Sequence, residues 1–147
     1  ISDCLVGSEM CIRDSCIKLD INLDGAKYFI APITNIWGTT NNIVTKNGSL
    51  NNSQAKANQD GTYTFILSVN DPGVFNWLDP SDLSEGILTL RWSGFPNDIV
   101  GENLFAKSKV MLISDALNEI TDDHRISSEE RLNQLQAREE SYSWRTD

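Results

Sequence analysis

Residues 53–69 read SQAKANQDGTYTFILSV. Asp60 and Gly61 stand between two runs, and Asp-Gly at such a point is a hairpin signal, because a tight two-residue turn wants positive φ at its centre. In the second run Tyr63, Phe65, Leu67 and Val69 alternate with Thr62, Thr64, Ile66 and Ser68. A period of two makes one face apolar and predicts a half-buried antiparallel strand. Residues 53–58 are expected to be its hairpin partner.

Strand signals continue outward from there. Residues 26–34, AKYFIAPIT, are rich in β-branched and aromatic types. Pro32 inside them predicts an edge strand or a bulge, since proline donates nothing to a ladder. Residues 35–40, with Trp37 and Gly38, continue or bend that strand, and residues 39–52 read as a long polar loop around Asn47 and Gly48. Residues 70–85, NDPGVFNWLDPSDLSE, are too rich in proline and acid for a plain strand. Asp71, Pro72 and Gly73 set a turn, and Phe75, Trp77 and Leu78 are expected to pin an ordered, irregular loop. Residues 86–93, GILTLRWS, return to strand with Leu88, Leu90 and Trp92 on one face. A connection over 94–107 leads to a short strand over 108–113.

The chain then turns helical. Ser114 is a candidate cap for a short helix to Ile120. Ser127 and Glu130 form a capping box, each able to bond the other's backbone amide. Leu132, Leu135, Glu139 and Tyr142 share one stripe of the second helix, and Glu139 breaks it, so weak packing or exposure is expected. These elements predict a mainly β fold: an antiparallel β-sandwich segment over 16–113 and a helical tail over 114–147.

Residues 1–15, ISDCLVGSEMCIRDS, have neither a helical nor an alternating period, nor the basic start and apolar stretch of a secretory signal. The string resembles translated sequencing-adapter read-through. It is set aside from the fold as a disordered artefact. The 147 residues then become 132, and the three cysteines become Cys16 alone. No Cys or His spacing suits a metal, and nothing beside Cys16 lowers its pKa toward a nucleophile. Of the net charge of −9, residues 1–15 carry −2, residues 16–113 carry −2 and residues 114–147 carry −5. That acidity argues against nucleic acid as a partner. No apolar run approaches the roughly 20 residues of a membrane span. The sequence does not place the chain in a compartment.

Chemistry-bearing motifs are few. There is no phosphate-cradling glycine loop and no GxSxG elbow, and no cofactor is implied. His124 sits in TDDHRI between the two helices, a flexible link that holds a general base poorly. Asp71, Asp79, Asp82 and Glu85 crowd one loop. Their plain role is to accept backbone amides and set turns; Asp79, beside Trp77 and Leu78, is the one whose pKa burial could raise. Asn47 and Asn51 match the glycosylation sequon, as an Asn-rich loop does by chance. Trp37, Trp77 and Trp92 could line a sugar or lipid face, but aromatic residues of a small β domain are more often core.

The order of Trp37, Ser49, Leu50, Asn51, Gln54 and Ala55, then Asp60 and Gly61, then DPG at 71–73, NWLD at 76–79, Gly86 and LRW at 90–92 resembles the C-terminal module of the domain-of-unknown-function 1214 proteins. Those are mostly bacterial and often accompany a second uncharacterised module, number 1254. The resemblance spans about residues 26–142. It implies a β-sandwich of jelly-roll type with further strands before residue 16, and it implies no reaction. In the family a Thr, a small residue, Gly and an aromatic residue or His often follow the NWLD aspartate. Here Pro80, Ser81, Asp82 and Leu83 stand instead, so a site using that His would be absent.

Two readings of function follow. In the first, the chain is a non-catalytic segment of a larger bacterial protein that binds a small ligand or a partner domain, the N-terminal part of the same protein among them. Asn76, Trp77, Asp79, Arg91 and Trp92 then converge on a concave surface. In the second it is a hydrolase-type enzyme fragment using Asp79 with Arg91 as electrostatic partner.

Overall fold

The computed structural model describes residues 2–7, 14–40, 42–83 and 85–145. In chain order the strands are β1 (Ser2–Gly7), β2 (Ser15–Asn22), β3 (Tyr28–Thr34), β4 (Ser49–Asn51), β5 (Tyr63–Leu67), β6 (Trp77–Leu78), β7 (Gly86–Ser93) and β8 (Phe105–Leu112). Helices α1 (Ile113–Glu119) and α2 (Ser128–Ser143) follow. One sheet has the order β1-β7-β3-β4 and the other β6-β5-β2-β8.

The two sheets face each other across one apolar cluster. Leu19, Ile21, Phe65 and Leu67 come from one sheet; Phe29, Ala31, Ile33, Leu88, Leu90 and Trp92 come from the other. Rings of Phe29, Phe65 and Trp92 meet at its centre, with centroids 5.8 and 5.2 Å from that of Phe29. The expected face of Leu88, Leu90 and Trp92 is buried as the alternation required, and Phe65 and Leu67 are too. The far face of β5 departs from expectation. Ile66 points the other way along the strand and is buried in a second cluster with Cys16, Val74, Trp77 and Ala116 of α1. The β5 strand is therefore covered on both sides, because helix and loop lie over its sheet.

Several expectations are corrected. Residues 53–58 form no strand. The Asn51 side chain accepts the amides of Ser53 and Gln54, both at 2.9 Å, and its carbonyl accepts from Gln54 and Ala55. That local turn chemistry outcompetes a ladder. Asp60 and Gly61 do turn the chain, with Gly61 at φ 82° and its amide bonded to Asn58, but β5 then pairs with β2. Pro32 is neither at an edge nor in a bulge: β3 lies between β7 and β4, and its register with β7 is the same on both sides of the proline. Ile33 donates to Gly48 on the β4 side, so the proline nitrogen faces β7, where the pairing skips Ala31 and Pro32. The sheets are not wholly antiparallel, since β5 and β6 run parallel. Within the expected polar loop of 39–52 lies β4 with Leu50 buried, and residues 15–22, left unassigned by the sequence, form β2.

The N-terminal stretch also differs. Ser2–Gly7 pairs antiparallel with β7 at the rim of its sheet, from Ser2 opposite Arg91 to Gly7 opposite Gly86, and Ser15 opens β2. Residues 8–13 of that stretch lie outside the described residues. An uncovered β7 would present a row of unpaired backbone groups, and such a row pairs with whatever extended chain is near.

Candidate functional site

Residues 71–80 lie over the outer cluster, and nearly every polar group in them is bonded within the chain. Asp71 accepts the Gly73 amide at 2.8 Å, with Gly73 at φ 71°, and so closes the turn the sequence promised. Phe75 donates to the His124 carbonyl and Ile126 to that of Gly73, so residues 124–126 run beside 73–75. Asn76 is buried and acts as a three-way tie. Its Oδ1 accepts the Lys56 amide at 2.7 Å, and its Nδ2 donates to the carbonyls of Lys56 and Thr64 at 2.7 and 2.9 Å. The Trp77 indole donates to the Ser68 carbonyl at 3.0 Å.

Helix α2 clamps this loop from outside. The capping box of Ser127 and Glu130 forms as read from the sequence. The stripe of Leu132, Leu135, Glu139 and Tyr142 is not the docking face: Leu132 is 67% exposed, while Arg131 and Arg138 are the buried side chains of the helix. Arg131 reaches Asp71 with Nε at 2.8 Å and Nη2 at 3.1 Å. It also donates to the carbonyls of Val74 and Phe75, and its guanidinium lies 5.1 Å from the Trp77 ring centre. Gln134 donates to Phe75 as well. The shorter α1 lacks the expected cap at Ser114; its cap position is Leu112, without a side-chain bond.

The five residues expected to converge do not share a surface. Trp77 belongs to the outer cluster and Trp92 to the inner one, where its indole donates to Asn22. Both are buried, which removes the aromatic binding face; Trp37, the third tryptophan considered, is exposed at a turn instead. Arg91 is exposed on the other sheet and forms no ion pair with Asp79. The Asp79 carboxylate is buried and accepts the Ser81 amide at 2.7 Å. Burial pushes its carboxyl above the usual range, against that hydrogen bond and the charge of Lys46. This is the turn-setting role that aspartate chemistry suggests. Asn47, a sequon match, is buried, and the Asn51 side chain is held by backbone amides.

Two cavities flank the loop. One, of about 330 Å³, is lined by Asn58, Thr64, Asn76, Glu119, Thr121 and His124 among others. His124 is not in a flexible link: it is buried in a 3₁₀ turn over Asp122–His124. Its Nδ1 lies 3.1 Å from the Thr121 hydroxyl and 3.3 Å from the Asp123 carboxylate. The hydroxyl of Thr121, with further help from His124, holds the Asp123 carboxyl at about 2. A carboxylate only accepts, so Nδ1 carries a proton toward Asp123, while Nε2 is buried without a partner. The second cavity, of about 480 Å³, lies between α2 and the loops, with Asn47, Leu50, Phe75, Gln134, Ala137 and Arg138 in its lining. Asp79 lines neither.

Among the described residues no group of three His, Cys, Asp or Glu side chains could hold a metal, and no helix is long and apolar enough to cross a membrane. The Cys16 thiol is buried, and burial pushes it up, away from the reactive form.

Sequence reasoning passed over Arg131, Arg138 and the burial of His124. The two arginines stand seven residues apart, two turns along one helix face, and that spacing was a signal available to find them. No protein-family model matches the chain, and no curated protein does. Among solved structures, an uncharacterised protein from Burkholderia cenocepacia superposes with a TM-score of 0.64 at 20% identity, over 78% of this chain and 29% of its own. A protein from Vibrio parahaemolyticus does so with a TM-score of 0.50 at 18% identity, over 74% of this chain and 27% of its own. The chain thus spans less than a third of the length of either, and what it shares with them is the fold.

Proposed function

We propose that the chain is a non-catalytic binding segment of a larger protein: a β-sandwich of jelly-roll type, akin to the C-terminal module of the domain-of-unknown-function 1214 family, that receives a ligand or a partner domain beside the NWLD loop. The observation that carries this reading is the full internal engagement of that loop. Asp71 is bonded to Arg131 and Gly73, and Asn76 to Lys56 and Thr64. Asp79 turns toward Ser81 with no arginine beside it. A catalytic carboxylate needs reach to substrate and a partner that sets its protonation; Asp79 is buried and lines neither cavity, and both oxygens of Asp71 are taken up by Arg131 and Gly73. Two neighbours several times longer than the matched part support the view that further chain supplies what this segment binds.

The test is an activity panel of chromogenic esters, phosphoesters and glycosides run on the wild-type chain and on Asp79→Asn, beside thermal-shift screening with small ligands. The reading expects ligand-dependent stabilisation without turnover. Turnover that disappears in Asp79→Asn would replace it with the hydrolase reading.

A further inference from the structure

The two buried arginines of α2 are not equivalent. Arg131 faces a carboxylate at 2.8 Å. Arg138, buried to the same degree, has only neutral partners: Nε donates to the Ile43 carbonyl at 2.6 Å and Nη2 to the Ser49 hydroxyl at 3.1 Å. The Tyr142 ring lies 5.4 Å from its guanidinium carbon. No described carboxylate pairs with it, and burial pushes its guanidinium down with only Tyr142 opposing. A guanidinium stays charged in proteins, and a buried charge without a counter-ion is strongly unfavourable. Its Nη1 carries two donors that no described group takes up.

Beside it lies a second unmet demand. Asn47 is 1% exposed and lines the same cavity of about 480 Å³. Its Nδ2 donates to Gln134 Oε1 at 3.0 Å, while its Oδ1 is buried without a partner. The orientation is fixed from outside. Gln134 Nε2 donates to the Phe75 carbonyl and Gln134 Oε1 also accepts from Arg131, so Asn47 must present its amino group to Gln134 and turn its oxygen away. The cavity therefore offers one cation without a carboxylate and apolar wall from Leu50, Phe75 and Ala137, while Asn47 Oδ1 stays closed off behind that wall. Glu130 also lines it, its carboxylate held by the Ser127 amide. One cation beside one carboxylate suits a single negative charge better than a phosphate dianion.

We propose that the cavity between α2 and the loops binds a small monocarboxylate with an apolar body, its carboxylate on Arg138. This deepens the non-catalytic reading and rests on it. The same carboxylate chemistry could come from an acidic side chain in the rest of a longer protein, and the experiment separates the two sources.

The 147-residue chain is titrated with phenyllactate, hexanoate, hexanol and phenyl phosphate by calorimetry, with ¹⁵N spectra that resolve the Arg138 Nε. Saturable binding is expected for phenyllactate and hexanoate and absent for hexanol and phenyl phosphate, with the Arg138 resonance moving. Arg138→Gln should weaken binding at least tenfold, and Arg138→Lys, which keeps the charge and loses the fork, by less. A structural arginine would behave otherwise: Arg138→Met should leave the chain folded with its melting temperature undiminished, whereas Arg131→Met lowers it. Equal collapse of both variants, or carboxylate binding indifferent to Arg138→Gln, overturns the proposal. Preference for phenyl phosphate overturns the ligand class. Binding to this chain that vanishes in a longer parent protein assigns the carboxylate to the parent and overturns the free ligand. Turnover lost in Asp79→Asn with carboxylate binding intact would sink the non-catalytic reading alone; no binding and no turnover would sink this inference alone.

Discussion

Replacing Arg131 by Gln should unfasten α2 from the loop it clamps. The arginine side chain is 6% exposed and that of Asp71 35%. Breaking a fully buried pair costs about 3–5 kcal/mol, and an exposed pair contributes about 0–1 kcal/mol. With Asp71 a third open to water, the loss should fall between, at about 2–3 kcal/mol. The Trp77 contact adds about 0.5–1 kcal/mol. A total near 3 kcal/mol corresponds to a drop of about 10 °C in melting temperature for a chain of this size. The assay is a double-mutant cycle of Arg131→Gln and Asp71→Asn in urea and thermal unfolding, with near-UV circular dichroism to follow Trp77. A coupling energy of about 1.5 kcal/mol or more is expected, surviving moderate salt because the pair is largely sheltered. Coupling below about 0.5 kcal/mol, with the Trp77 signal unchanged, would refute docking of the helix through its arginine.

Burial raises the folded-state pKa of the Asp79 carboxyl, so the protonated form is favoured in the fold, and the stability this brings is lost as pH rises through the folded value. Asp79→Asn should therefore match or exceed the wild-type melting temperature at pH 7, with any gain shrinking below the ordinary value of 3.8; a marked loss at pH 7 would show a charged role. Asn76→Ala strips the bonds to Lys56 and Thr64 and should cost about 2–4 kcal/mol, read by unfolding and by faster hydrogen exchange at the Lys56 amide. A chain beginning at Asp14 should keep its cooperative transition to within a few degrees, because the described core starts at Cys16; loss of that transition would give Ser2–Gly7 a real share in the fold.

The β-layers were legible where one physical signal acted alone. In β7, alternation and burial coincide residue by residue, since one face meets the core and the other does not. In β5 the same rule identified the strand and missed its second buried face, because Ile66 is covered by α1 and the NWLD loop, far along the chain. The hairpin reading failed at Asn51. Its side chain can satisfy two amides locally, and no count of β-propensity in residues 53–58 registers that competitor. Pro32 failed for the opposite reason. The proline rule holds for its missing donor, but a ladder can skip two residues and keep its register.

The candidate site was misread because the burial of Trp77, Asp79 and Trp92 is not written in their spacing, and because α2, expected to pack weakly by its broken stripe, docks through arginines instead. Residues 114–147 hold four basic and nine acidic side chains, and two of the four bases, Arg131 and Arg138, point inward. The outward surface of the tail is thus more acidic than its composition suggests, while the inward face is cationic. Asp71 answers one of those cations, and that answer converts the DPG turn from a chain reversal into an anchor. No described carboxylate answers the other, which has only the Ile43 carbonyl, the Ser49 hydroxyl and the Tyr142 ring. Multiply charged anions approaching past the exposed acids are repelled over a Debye length of about 8–10 Å, while a single charge on an apolar body meets a smaller barrier and gains the cavity wall. The helix therefore works as a strap fastened at Arg131 and left charged at Arg138, and its polarity selects what the gap beneath it can hold.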